Sequence, residues 1–182
     1  MSAERRIVVV SGPPGAGKTT IATALADESD RAVVIDGDRS WHFIRRGHIT
    51  PGLPEANTQN SAVMEAVASA AAAYSAAEYP VFVDAIVGPW FLEPFRRVAA
   101  DCGARLDYVI LRPSLDVAMA RAGERNAGVV DARFEAGIRR MWTAFADLTN
   151  VESHAVDTSA LTVEETVRVI SERLAGDQLW LR

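Results

Sequence analysis

The chain has 182 residues, enough for one domain with its own core and short of two comfortable ones. Hydrophobic residues at 49% and charged residues at 24% are globular values and exclude a disordered chain. Lys and Arg total 19 against 24 Asp and Glu, and the net charge of −5 leaves no broad basic footprint for duplex nucleic acid.

The first six residues are short and charged, and the apolar run that follows stops at a glycine-rich loop. That start does not read as a leader peptide. No apolar stretch approaches the roughly 18 residues of a membrane span, so a cytoplasmic protein with no membrane partner is expected. Ile7–Ser11 is a continuous β-branched run and predicts a central buried strand. It leads into Gly12-Pro13-Pro14-Gly15-Ala16-Gly17-Lys18-Thr19, a full G-x-x-x-x-G-K-[ST] phosphate loop. Lys18 is the one lysine among 19 basic residues, and the other 18 are arginine. A compact ammonium on a flexible stem can bend back between two phosphates, where a planar guanidinium is too bulky. A helix over Thr19–Asp27 would add its dipole and free N–H groups. The nucleotide-binding set is therefore Gly12, Pro13, Pro14, Gly15, Ala16, Gly17, Lys18, Thr19 and Thr20, with the Thr19 hydroxyl for Mg²⁺ and Lys18 for the β- and γ-phosphates.

A second strand over Ala32–Asp36 ends in Asp36-Gly37-Asp38. Asp-Gly is a common turn dipeptide. Beside a phosphate loop, however, two carboxylates at a strand end suit a metal's water shell (Asp36) and a base for an attacking hydroxyl (Asp38). The segment 38–60 has no clean periodicity and reads as a covering, with Trp41, His42, Arg45, Arg46 and Trp90 as acceptor-pocket candidates. Of these, Trp41 and Arg45 join Asp38 and Asp84 in the expected substrate site. Trp90 and Phe91 read as core-edge packing, and His42 and His48 have no partners at metal-ligand spacing.

A helix near 58–78 includes the Ala-rich stretch, and a third strand, Val81–Asp84, ends in an acid as a Walker B strand does. Asp84 is a metal-site candidate. It is followed by Ala85, where a motor ATPase needs an acid to activate water. Further helices are predicted near 92–102, 114–124, 131–148 and 163–175, the last capped by Thr162 with Glu165 three residues on. Strands are predicted at Leu106–Leu111 and, more weakly, Ser153–Val156. Cys102, the single cysteine, cannot form an intrachain disulfide and reads as a half-buried helix-end residue. Arg121 and Arg125 are four apart on one helix face and can clamp a transferring phosphoryl group. Segment 122–131 is a second covering, and Asp157-Thr158-Ser159 can supply backbone contacts to adenine. The alternation of strands and helices predicts an α/β fold with a parallel sheet in one domain, 1–182, with lid-like segments about 38–60 and 122–131.

This combination resembles the small P-loop kinases of the nucleoside-monophosphate-kinase-like group, in the branch of gluconate kinases, adenylylsulfate kinases, chloramphenicol phosphotransferases and zeta-toxin-like kinases. Gly12–Thr19, Asp36-Gly37-Asp38, Val81–Pro89, Leu111-Arg112-Pro113 and Arg121 with Arg125 carry the resemblance. It implies a P-loop NTPase three-layer sandwich on a five-stranded parallel sheet, ATP with Mg²⁺, and phosphoryl transfer to the hydroxyl of a small molecule. It also implies that Asp38 matches the base and that Arg121 and Arg125 match lid arginines, so the catalytic set is Lys18, Asp38, Arg121 and Arg125. The rivals are a regulatory nucleotide-binding ATPase without a small acceptor, and a polynucleotide 5′-end kinase, which the acidic charge disfavours. A guanine-type Asn-Lys-x-Asp motif is excluded because no second lysine exists. A monomer or a homodimer fits equally.

Overall fold

The computed structural model describes residues 5–125 and 131–182. Five parallel strands form one sheet in the order β2-β3-β1-β4-β5: β1 (Arg6–Ser11), β2 (Val33–Asp36), β3 (Val81–Asp84), β4 (Arg105–Leu111) and β5 (Ala155–Val156). β1 is central and fully buried over Ile7–Val10, so both of its faces need apolar side chains. Ile7 and Val9 point into one cluster with Val63, Met64 and Phe95, contributed by α2 (Asn57–Ala76) and α3 (Glu93–Cys102). Val8 and Val10 point into the other, with Ile21, Leu25, Ile170 and Leu174 from α1 (Lys18–Asp27) and α6 (Val163–Ala175). The result is the expected three-layer sandwich.

The chain leaves β1 toward β2 and β3 on one side and reaches β4 and β5 on the other. A crevice therefore opens at the C-terminal end of β1, where open α/β sheets bind ligands. Register fixes what faces it: Val10 pairs with Asp84, and Asp84 pairs with Asp36. α4 (Leu115–Arg125) and α5 (Ala132–Ala144) flank the same end. Of the covering expected over 122–131, residues 126–130 lie outside the described residues.

Most predicted elements fall within a residue or two of the observed ones, and the Thr162/Glu165 capping box of α6 is formed. The helix expected to 148 stops at Ala144. Its apolar spacing does continue through Phe145 and Leu148, but Arg112 takes the Phe145 and Ala146 carbonyls (3.5 and 3.4 Å) and ends the turn. A 3₁₀ segment, Thr149–His154, then absorbs half of the predicted fifth strand. His154 is buried, and its Nδ1 lies 3.0 Å from the Tyr108 carbonyl, a structural role. Cys102 ends α3, partly buried and free. No helix among the described residues is long and apolar enough to cross a membrane.

A small buried knot braces the crevice. The Val87 carbonyl accepts from Ser11 Oγ (2.8 Å) and from Tyr108 Oη (2.5 Å), while the Val87 amide donates to Ser11 Oγ (2.9 Å). Burial pushes the Tyr108 phenol up from its ordinary pKa, so it stays a donor. Ser11→Ala removes two hydrogen bonds of the knot while the Val87 amide keeps the Ala85 carbonyl (3.0 Å), and is expected to lower the unfolding free energy by about 1 kcal/mol in denaturant titration.

Candidate functional site

The loop between β1 and α1 owes its shape to glycine at two places. Gly12 (φ +142°) passes under the end of β4, where a Cβ would collide with the Leu111 carbonyl, and Gly15 (φ +79°) lies against the Ala118 carbonyl of α4. Gly17, in the left-handed region, starts α1 without a side-chain cap. The first amides of the helix are therefore free to meet an anion. Lys18 is buried, 6% exposed, and its Nζ arcs back toward the Pro13 carbonyl at 3.4 Å. Burial lowers its pKa, while the charges of Asp38 and Asp84 work the other way and Arg125 adds to the lowering.

Thr19 Oγ1 donates to Asp84 Oδ2 at 2.6 Å. The second Asp84 oxygen, Oδ1, is buried with no partner among the described residues. Desolvation raises the Asp84 pKa, opposed by the Thr19 hydrogen bond and the Lys18 charge. An orphaned carboxylate oxygen beside a threonine hydroxyl fits a hard cation. No cluster of three or more His, Cys, Asp or Glu able to hold a metal exists among the described residues. The Thr19 hydroxyl and one Asp84 oxygen are the kind of donors Mg²⁺ takes, since it keeps waters and uses phosphate oxygens alongside one or two carboxylates. Asp36, expected in this metal set, is turned aside. It accepts from the Arg39 amide (3.2 Å) as the cap of the 3₁₀ turn Gly37–Phe43, so its carboxylate is engaged locally and acts on Asp84 through its charge.

Two cavities meet at this crevice. The first, about 270 Å³, is lined by Gly15, Gly17, Lys18, Thr19 and Thr20 from the loop, with Asp38, Arg121 and Arg125 opposite. The structure thus brings eight of the expected nucleotide and catalytic residues to one space, Asp38 included. Arg121 is fixed by donating to the Thr158 carbonyl (3.3 Å), whereas Arg125 ends α4 exposed. Beyond Arg121 a further hollow of about 290 Å³ continues past Thr158, Leu161 and Thr162. There the buried Thr158 Oγ1 has no partner among the described residues. This is the stretch expected to meet adenine.

The second cavity, about 440 Å³, lies between segment 38–60, the turn after β3 and α5. Asp38 lines it too and is the side chain common to both cavities. Trp41 lines it as expected, with its Nε1 donating to Asn60 Oδ1 at 3.0 Å. Arg45 does not: it is exposed and lies outside both linings, because the chain turns outward after Phe43. Arg140 and Met141 of α5 take that wall instead. Trp90, weighed both as a pocket residue and as core-edge packing, is 52% exposed over the cavity, where its indole rests on Gly88 and contacts Phe145. Sequence reasoning missed Asn60, Arg140 and Met141. The polar run Asn57–Asn60 at the head of an Ala-rich helix was a usable sign of the first, and nothing local marked the other two.

Fold and loop together place the chain among P-loop proteins of the nucleoside-monophosphate-kinase-like architecture. The family AAA_33, an AAA domain family, matches residues 7–146, and the chain belongs to it. Among curated proteins none matches the sequence. Solved structures do. A gluconokinase from Sinorhizobium meliloti is 21% identical, with TM-score 0.67 over 95% of this chain and 97% of that one. The Mycobacterium tuberculosis APS kinase in complex with AMPPNP and APS is 16% identical, with TM-score 0.66 over 93% and 97%. Shikimate kinase from Acinetobacter baumannii, in complex with shikimate, is 16% identical, with TM-score 0.62 over 98% and 97%. At these identities the likeness establishes the fold.

Gly15→Ala is expected to cost about 1–3 kcal/mol through its left-handed φ. Its collision with α4 should also abolish the rise in melting temperature that ADP gives the wild type, read by thermal shift.

Proposed function

We propose that the protein is an ATP-dependent kinase that transfers the γ-phosphoryl group to a hydroxyl of a small molecule. The observation that carries this reading is Asp38, whose carboxylate borders both the phosphate cavity and the aromatic cavity beside it. A base serving an acceptor hydroxyl has to stand at that boundary. Three structural relatives are small-molecule kinases by name, which supports the same class.

In this reading the loop amides and Lys18 hold the β- and γ-phosphates, and Arg121 and Arg125 close on them from α4. The acceptor hydroxyl sits at the mouth of the aromatic cavity. Asp38 takes its proton as the oxygen attacks γ-phosphorus in line, and the bond to the bridging oxygen of ADP breaks. Thr19 and Asp84 would hold Mg²⁺, which when bound would supply neutralisation of phosphate charge. Segment 38–60 serves as a covering that keeps water out. A regulatory ATPase needs no second cavity, and Ala85 follows Asp84 where a motor would place its acid. A cytoplasmic monomer or homodimer completes the reading.

Lys18→Ala is expected to lower kcat by roughly 100- to 1,000-fold in a coupled ADP-release assay. Lys18→Arg should fail comparably, because the guanidinium does not fit over the loop; wild-type turnover in either variant contradicts the mechanism. Asp38→Asn should cost roughly 100- to 10,000-fold in kcat while ATP still binds. Loss of ATP affinity instead of kcat would remove Asp38 from the base role.

A further inference from the structure

The aromatic cavity is poor in free polar groups. Trp41, Ile86, Trp90, Phe91 and Met141 supply its walls. The Trp41 indole N–H is committed to Asn60 Oδ1, and Asn60 Nδ2 donates to the Pro51 carbonyl at 2.7 Å. Gln59 locks the adjoining loop by exchanging two 2.8 Å hydrogen bonds with the Ile49 backbone. The walls are therefore pinned, and their hydrogen-bonding capacity is mostly spent. What remains is Asp38 at the phosphate side, the imidazoles of His42 and His48, and Arg140. A polyol would bury hydroxyls that find no partner there. An aromatic body would instead cover the outer face of Trp90, an indole held by Gly88, Phe91 and Phe145 yet half open.

Arg140 stands at the other end. Asp38 is shared with the phosphate cavity, whereas Arg140 and Gly52 are shared with an outer groove that also carries Arg133. The Arg140 guanidinium lies so close to Gly52 that a Cβ there would collide with it. No carboxylate among the described residues pairs with Arg140 or Arg133. Two unpaired guanidiniums at the end of an apolar slot select an anion.

We propose that the ligand of this cavity is an aromatic hydroxy acid class of compound, with its hydroxyl at Asp38 and its anionic group at Arg140. The proposal rests on the phosphotransfer reading for its chemistry: the ligand's hydroxyl oxygen bonds to γ-phosphorus, its proton passes to Asp38, and ADP leaves.

The test titrates the wild-type chain by calorimetry with meta-hydroxymethylbenzoate, para-hydroxymethylbenzoate, the two matching carboxamides and D-gluconate, then repeats the acids with ATP and Mg²⁺ in an ADP-release assay. At least one benzoate should bind about 10-fold more tightly than its amide, the difference one charged hydrogen bond makes, and gluconate should give no comparable binding. Arg140→Gln, at an exposed position, should leave the melting temperature unchanged and erase the acid-over-amide preference while keeping amide binding. Trp90→Ala should weaken acid and amide alike. The proposal falls if neither benzoate binds, if gluconate binds as well as they do, or if the acid preference survives Arg140→Gln. Phosphorylation of gluconate but of neither benzoate would overturn it while sparing the kinase reading. Arg140-dependent binding of a benzoate that stimulates no ADP release would support the ligand class and sink the kinase reading instead.

Discussion

A buried ammonium needs negative charge and oxygen around it, and the placement of Lys18 organises much of this molecule. Its own loop supplies one carbonyl, from Pro13. The compensating charges come from two separate strand ends, Asp84 at β3 and Asp38 just past β2. Neither can reach Lys18 unless β3 lies beside β1 in the observed register, with Asp84 level with Val10. The same register leaves one Asp84 oxygen unpartnered beside Thr19. The cluster therefore keeps one carboxylate oxygen without a partner among the described residues, a group that an added cation would satisfy.

The two cavities on either side of Asp38 differ in chemistry as much as in position. On the loop side the lining is backbone, hydroxyl and cation, suited to phosphate. On the far side it is indole, phenyl and thioether, with its amide and N–H groups already paired to each other. Asn60 and Gln59, on the first turn of α2, hold that second wall from beneath, so its shape is set by the same helix that packs Val63, Met64 and Val67 against the sheet. Under the proposed kinase reading, recognition of the acceptor would therefore be tied to the core and would not depend on loop rearrangement alone.

What the sequence made legible was local. The loop, its strand and its helix occupy adjacent residues, and the acid ending an apolar strand marks Asp84 without knowledge of the sheet. The strands and the Thr162 cap follow from short-range patterns of the same kind. The misplacements are long-range. Arg45 stands close to Asp38 in sequence, yet the chain swings it outward, while Arg140 arrives from about a hundred residues away on α5. Helix α5 ends early because Arg112, at the tip of β4, captures its carbonyls. Asp36 and Asp38 share one motif, but the 3₁₀ turn between them sends the first into a cap and the second into the crevice. Trp90 fits either a pocket or a core edge from sequence alone, and Gly88 leaves the room beneath it that sets its indole over the cavity.

The Val87 knot has an evolutionary consequence. Its carbonyl is held by hydroxyls from β1 and β4, one residue before the phosphate loop begins and just before the turn that carries Trp90 and Phe91. Reshaping that turn to admit a different acceptor would disturb the footing of the phosphate loop as well. The opposite wall, where residues 48–52 are pinned to α2 by Gln59 and Asn60 and α5 offers an exposed face, makes no hydrogen bond to the phosphate loop among the described residues. Divergence in acceptor preference among relatives of this chain should therefore accumulate on that second wall, leaving the turn after β3 as the fixed half of the pocket.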